Sequence, residues 1–213
     1  MVKEKFRFYF LWLSLVCIGV FILQNLPGIP GFTEMFVLNS GKALGGEFWR
    51  FVSSMFLHSG ITHLIYNLFA LLFFGGLLEK LIGSKRFLVL FFISGIGANL
   101  VSVWFYPSSL GASGAIYGIL GALAVLKPMV MVWAFGLILP MFLAAILWII
   151  GGVIGIFVPS NTGHIAHLSG IGVGIILGLI LLVRKGKKKL SKKENKVVIP
   201  DYYMAGWEKR YMK

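Results

Sequence analysis

Ser113 and His167 lie in two separate apolar runs, and together they could supply a nucleophile and its base. The serine belongs to the run Gly111-Ala112-Ser113-Gly114, and the histidine follows in a later run. A histidine that takes the hydroxyl proton makes serine nucleophilic enough to attack a carbonyl carbon. Because polar groups are costly inside hydrocarbon, those found there tend to serve a function. The pair therefore predicts hydrolysis within a membrane.

Three more polar side chains are predicted at the depth of this pair. His63 and Asn67 share one helix face at i and i+4, and both can donate hydrogen bonds to an oxyanion. Tyr117 lies one turn after Ser113 on the same face, where it could orient the histidine. We expect these three residues to support the reaction.

The choice of base depends on which residue can come close to the serine. His167 precedes Gly170 and Gly174, a small-residue face that allows tight contact with the glycine-rich helix of the serine. His164, one turn earlier and nearer the water, is a rival base. Lys127 is excluded, because fourteen helical residues place it about 21 Å from the serine.

The serine and histidine have no acidic partner in the outer half of any predicted span. Glu79 falls at the inner end of the second span. A serine-histidine-carboxylate triad would need such a partner to orient the imidazole. The sequence therefore predicts a two-residue dyad, and no metal ion or cofactor is expected.

The elements that must position these residues are membrane helices. The chain is 58% apolar, and Lys127 is the one formal charge between Phe87 and Val183. A spanning helix needs about 20 apolar residues. We predict an all-α polytopic membrane protein, a six-helix bundle with a short central fourth helix. The six-span membrane domain is predicted to cover residues 1–183, with spans at about 7–25, 61–79, 87–106, 113–126, 129–158 and 164–183.

The distribution of Lys and Arg predicts the orientation of the bundle. With both termini in the cytoplasm, all but two of the 20 basic residues lie on the inner side, and the exceptions are Lys42 and Arg50. The active site would then open to the outer side of the cell membrane. The basic cytoplasmic tail, 184–213, follows a span directly, so its expected partners are anionic lipid headgroups and not nucleic acid.

The outer segment between the first two predicted spans differs in composition from the rest of the chain. It contains Pro27, Pro30 and several glycines among short apolar patches. We expect it to rest in the headgroup region, with Trp49 at the interface and Arg50 bonded to loop carbonyls. Both residues are predicted to be structural.

In four motifs the chain resembles the rhomboid intramembrane serine proteases. The motifs are Phe48-Trp49-Arg50, His58 with His63-Leu64-Ile65-Tyr66-Asn67, Gly111-Ala112-Ser113-Gly114, and Ala166-His167-Leu168-Ser169-Gly170. Their order and spacing cover residues from about 45 to 180. Each motif is weak alone, but the set in one six-span chain is highly specific.

The resemblance implies the basic six-span form of the family, without an added soluble domain. It implies that Ser113 is the nucleophile and His167 its base, with His63 and Asn67 assisting the oxyanion and Tyr117 packing on the base. It also implies a substrate that is itself a transmembrane helix. Ala112, before the nucleophile, stands where the family varies.

Three other functions are weighed against this one. A transporter would predict an internal repeat with paired broken helices, and none is visible. A metalloprotease would need a His-Glu-x-x-His motif or a carboxylate nearby, and neither is present. A non-enzymatic membrane chaperone of rhomboid-like fold is disfavoured because Ser113 and His167 are both retained.

Overall fold

The computed structural model describes residues 6–160, 162–194 and 210, and the side chains of 6–160, 162–184 and 210. Its elements in chain order are α1 (Tyr9–Gln24), α2 (Phe32–Phe36), β1 (Leu38–Asn39), α3 (Ser40–Leu44), α4 (Arg50–Ser53), α5 (Ile61–Ala70), α6 (Gly76–Ile82), α7 (Ser84–Ser102), β2 (Ser108–Ser109), α8 (Ser113–Leu126), β3 (Met131–Ala134), β4 (Leu137–Pro140), α9 (Met141–Ile156) and α10 (His164–Glu194). A π-helical segment, Leu71–Gly75, joins α5 to α6.

Three helices are long and apolar enough to cross a membrane. They are Ile61–Ile82, Ser84–Ser102 and His164–Arg184, and three shorter apolar helices accompany them, namely α1, α8 and α9. The molecule is therefore a mostly helical membrane protein. The six-span count and the cytoplasmic location of both termini stay predictions. Most of the basic tail, 184–213, lies outside the described residues.

The start of α1 is fixed by Glu79, a fully buried carboxylate on α6. Its two oxygens accept hydrogen bonds from the backbone N–H groups of Tyr9 and Phe10, at 3.1 and 3.0 Å. The Ser84 hydroxyl donates to the same carboxylate at 2.6 Å. The first amides of a helix have no partner within the helix, and a negative charge there is stabilising. One acidic side chain thus joins α1 to the turn between α6 and α7.

Glycines allow α10 to pack directly on α8. A Cβ atom at Gly170 would overlap the backbone carbonyl of Gly114, and one at Gly174 would overlap that of Gly118. The absence of side chains lets two helix backbones approach closely without a hydrophobic driving force. This contact positions the early turns of both helices against each other.

The outer segment between α1 and α5 is ordered around Arg50, which is 2% exposed. The guanidinium donates to the carbonyl oxygens of Glu34 and Val37 at 2.8 and 2.7 Å, and it pairs with the Glu47 carboxylate at 2.5 Å. Trp49, beside it, is 54% exposed. These bonds tie α4 to the backbone that leads into β1.

A short antiparallel pair joins this outer segment to the residues before α8. Leu38 pairs with Ser109, and Asn39 pairs with Ser108. Beneath the pair lies a small buried cluster: Leu38, Ala43, Phe51 and Val103. The pairing therefore connects the Arg50 segment to the stretch of chain that leads into Ser113.

The fifth apolar run differs from the single span predicted over 129–158, and the all-α prediction is corrected with it. Residues 131–140 form the antiparallel hairpin β3–β4, and only α9 is helical. The turn residues Phe135 and Gly136 have φ values of 55° and 77°, as a type I′ turn requires. Pro140 has no N–H and disfavours helical geometry at Leu139, so the helix starts after it.

The hairpin lies between α5 and α9. The ring of Trp133 meets that of Phe69 edge-on, with centroids 5.9 Å apart. The ring centroid of Phe135, at the turn, is 5.4 Å from that of Trp148 on α9. The hairpin therefore fills space beside the helix that carries His63.

Candidate active site

The structure brings Ser113 and His167 into direct contact. Ser113 is the first residue of α8, and His167 lies in the first turns of α10. His167 Nε2 is 2.8 Å from Ser113 Oγ, a distance at which the hydroxyl can donate to the ring nitrogen. Gly111, two residues before this helix start, has a φ of 121°, which favours glycine. Its amide donates to the Ser54 carbonyl at 2.9 Å, which anchors the loop.

Tyr117 covers one face of the histidine. Its ring is stacked on that of His167, with centroids 4.2 Å apart and an interplanar angle of 8°. Among the residues that the structure describes, neither histidine of α10 forms an ion pair with a carboxylate. Glu79, the nearest preceding acid in the chain, is committed to the start of α1. The imidazole is therefore oriented by packing and by the serine.

His63, near the start of α5, faces the same space as Ser113. A Cβ atom added to Gly111 would lie 3.0 Å from His63 Nε2 and 3.8 Å from Ser113 Oγ. The other ring nitrogen, Nδ1, is 3.4 Å from the Ser59 backbone nitrogen and 3.1 Å from its hydroxyl. A backbone N–H can only donate, so Nδ1 accepts and Nε2 carries the proton. His63 thus presents a donor beside Ser113.

Asn67 is one turn further along α5 and is 6% exposed. Its side-chain nitrogen donates to the His63 carbonyl at 2.8 Å. Each amide nitrogen has two protons, so one remains for another acceptor in the cavity. Asn67 therefore braces the turn that carries His63 while lining the cavity beside it.

Two further histidines lie near the site, His58 beside His63 and His164 beside His167. His58, before α5, is buried, and its ring is 5.1 Å from that of His63. Burial, and secondarily the proximity of His63, lower the pKa of His58 to about 4, so it is neutral near pH 7. His164 is the first residue of α10, and the hydroxyl oxygen of Ser160 is 3.1 Å from its Nε2. His164 therefore has a partner other than Ser113.

A cavity of about 1150 Å³ opens over the contact between Ser113 and His167. It is lined by residues from the starts of α5, α8 and α10 and by the loop before α8. The lining includes His63, Asn67, Ser113, Tyr117 and His167 together, with Tyr106 and Ser59. Trp49 and Arg50 are not part of this wall. Polar side chains form part of the wall of this cavity, which gives water a place beside the serine.

Sequence reasoning missed two residues of this region. Ser59 contacts His63 from the turn before α5, and Tyr106 contacts α10 from the loop after α7. Neither had a distinctive spacing, although Ser59 does precede a helix, where serine is common. Among the described residues, no group of three or more His, Cys, Asp or Glu side chains could hold a metal ion.

The fold and the site define a helical membrane protein with a serine-histidine pair beside a cavity. A sequence model of the rhomboid domain matches residues 45–184. The chain therefore belongs to the rhomboid family.

Named relatives support this assignment. The chain is 38% identical to the rhomboid protease GluP of Bacillus subtilis over 126 residues, 57% of this chain and 24% of that protein. It is 30% identical to the rhomboid protease GlpG of Klebsiella pneumoniae over 182 residues, 80% of this chain and 62% of that protein. It is 35% identical to the mitochondrial RHOMBOID-like protein 6 of Arabidopsis thaliana over 142 residues, 66% and 46% of the two chains.

The coverage limits what these relatives say about the chain. The match spans less than half the length of the Bacillus and Arabidopsis proteins. The names of these relatives associate the family with proteases, and one name places a relative in a mitochondrion. The chain is a membrane protein, and its location in the cell membrane stays a prediction.

Proposed function

We propose that the chain is an intramembrane serine endopeptidase that cleaves transmembrane segments of other membrane proteins. The observation that carries the proposal is the 2.8 Å contact between Ser113 Oγ and His167 Nε2. The relatives named as rhomboid proteases support the same activity. In this proposal Ser113 and His167 are the catalytic dyad, and His63, Asn67 and Tyr117 support it.

The first half of the reaction forms an acyl-enzyme. His167 Nε2 takes the hydroxyl proton while Ser113 Oγ attacks the carbonyl carbon of the scissile peptide bond. The carbonyl oxygen becomes an oxyanion, which accepts hydrogen bonds from His63 Nε2–H, the Asn67 amide and the free backbone N–H groups at the start of α8. The C–N bond then breaks, and the imidazolium gives its proton to the leaving amine.

The second half releases the acyl group. A water molecule in the cavity gives a proton to His167 Nε2, and its oxygen attacks the ester carbonyl. The tetrahedral intermediate collapses, the bond to Ser113 Oγ breaks, and the imidazolium returns the proton to the serine. Tyr117, stacked on the imidazole, keeps the ring in one orientation through both halves.

The expected substrate is a transmembrane helix that is locally unwound near its outer end. In this proposal the bundle has six spans in the cell membrane, with both termini in the cytoplasm and the cavity open to the outer side. The basic tail would contact anionic lipids. Either the loop before α5 moves to admit the substrate, or α9 moves sideways. The second route is suggested by Gly151, Gly152 and Gly155 in α9. A cross-link between α9 and α5 that left cleavage unchanged would contradict the α9 route.

The test is cleavage of a single-span reporter in liposomes by the native chain, Ser113→Ala and His167→Ala, with a chelator as a further condition. We expect both variants to be inactive and the chelator to have no effect. Native-like cleavage by Ser113→Ala would show that the nucleophile is misassigned. If a panel of reporters is not cut at all, a non-enzymatic or transport function is favoured.

A further inference from the structure

The helix that carries His167 is capped by a side chain from another part of the chain. The first amides of a helix have no partner within it. At the start of α10, the Ile165 amide donates to the Tyr106 hydroxyl oxygen at 3.1 Å. The two residues are 59 positions apart in the chain. A phenol from the loop after α7 thus holds the first turn of α10.

The segment that presents Tyr106 is itself anchored. The Ser40 hydroxyl donates to the Tyr106 carbonyl at 2.5 Å, and the Ser40 amide donates to the Pro107 carbonyl at 3.0 Å. The next two residues form β2, which pairs with β1. Tyr106 therefore extends from a fixed backbone, and that backbone leads directly into the loop of Ser113.

His167 lies between two points that fix α10. Below it, Gly170 rests on the Gly114 backbone. Above it, Ile165 is bonded to Tyr106. The rise of a helix is 1.5 Å per residue, so His167 is about 3 Å along the axis from the capped amide. Without the hydrogen bond from Ile165 to Tyr106, the first turn of α10 is a free helix end, and such ends fray.

We propose that Tyr106 is a positioning residue for the reaction, because its hydroxyl fixes the first turn of α10 and so keeps His167 within hydrogen-bond distance of Ser113. The inference rests on the proposed function. Tyr106 acts through the backbone of α10 and not on the reacting atoms.

The experiment compares Tyr106→Phe, which keeps the ring and removes the bonding oxygen, with Tyr9→Phe. The control removes a phenol hydroxyl that contacts Arg7, away from the cavity. Cleavage of the reporter gives kcat and KM, and a fluorophosphonate probe gives the reactivity of Ser113. Hydrogen exchange of residues 164–168 reports on the cap independently of activity.

We expect Tyr106→Phe to lower kcat and the labelling rate about tenfold, since misplacement of a catalytic group is costly. KM should stay within about twofold, and amide exchange at 164–168 should accelerate. Tyr9→Phe should match the native chain in all of these measurements. Thermal unfolding of both variants checks that the expected losses occur in folded protein.

Three results would overturn the inference: a native kcat, a rise in KM alone, which indicates a substrate contact, or unchanged exchange at 164–168. A native kcat per folded molecule overturns it even when the Tm is lower, because only a structural role is then left. Ser113→Ala separates the two proposals in the same assay. If Ser113→Ala still cleaves, the proposed function fails and this inference fails with it; if it is inactive while Tyr106→Phe is native-like, only this inference fails.

Discussion

Replacing Gly174 with alanine tests whether the close approach of α8 and α10 holds the serine and histidine together. A Cβ atom at this position would overlap the carbonyl group of Gly118. Because the overlapping atoms are backbone, no side-chain rotation relieves the clash. Non-bonded heavy atoms rest about 3.5 to 4 Å apart, so the two helices must separate locally by roughly 1 to 2 Å.

That separation is large compared with the contact it disturbs. His167 Nε2 and Ser113 Oγ are 2.8 Å apart, and an added displacement of about 1 Å takes them past hydrogen-bond range. A misplacement of about 1 Å can cost roughly 100-fold in rate, so we expect kcat/KM for a single-span reporter to fall by about that factor. Overpacking should also lower the free energy of unfolding by about 1 to 3 kcal/mol.

The matched control is Gly172→Ala on the same helix. A Cβ atom at Gly172 meets nothing within 4 Å. Both substitutions raise helix propensity by about 1 kcal/mol, so their comparison isolates the steric effect at Gly174. The assay is reporter cleavage per folded molecule, with folding checked by circular dichroism and size-exclusion chromatography. A folded Gly174→Ala variant that cleaves at the native rate would refute the argument that this contact sets the spacing.

Two more predictions concern stability. Glu79→Gln replaces the carboxylate at the start of α1 with an amide, which cannot accept all three hydrogen bonds from Tyr9, Phe10 and Ser84. The free energy of unfolding should therefore fall by about 1 to 3 kcal/mol. Denaturant titration measures the loss, with the exposed Glu34→Gln as the control. Arg50→Lys keeps the charge, but lysine cannot bond to two carbonyls and a carboxylate at once, so a similar loss in the free energy of unfolding is expected. The control, Lys42→Ala, should give a native titration curve. A native curve for Arg50→Lys would contradict the role of Arg50.

The contact between Ser113 and His167 was within reach of sequence reasoning because its determinants are local and chemical. The serine opens a short glycine-rich helix, and the histidine precedes glycines at one-turn spacing. Such small-residue spacing indicates which helix faces meet. The predicted bounds of the fourth span coincide with those of α8, Ser113–Leu126.

The β-hairpin was missed because the fifth run is apolar throughout. Strand prediction relies on alternating polarity, and here both faces of the strand carry apolar residues. Burial does alternate: Val132 and Ala134 are buried while Met131 and Trp133 are exposed. The available signals were Pro140 and the Gly136 turn, which break a helix pattern even where hydropathy stays high. Hydropathy thus locates membrane contact better than it assigns backbone conformation.

Tyr106 could not be found because its role depends on tertiary structure. The third span was predicted to run to 106, whereas α7 ends at Ser102 and the next residues form a loop. A helical Tyr106 would have no reason to meet α10. Its contact with Ile165 depends on where that loop crosses the start of another helix, which neither spacing nor composition encodes.

The site is built from helix starts, and this explains how polar chemistry is accommodated in an apolar bundle. Ser113, His63 and His167 each lie within the first turns of a helix, and those three helix starts line one cavity. A helix start carries about half a positive charge, and its first N–H groups have no partner within the helix, although at α10 the Ile165 amide is bonded to Tyr106. The cavity therefore favours negative charge where an oxyanion would form, without placing a cation in hydrocarbon. In the proposed mechanism a dyad needs no carboxylate, because this field would stabilise the oxyanion while Tyr117 and the glycine contact hold the imidazole in place.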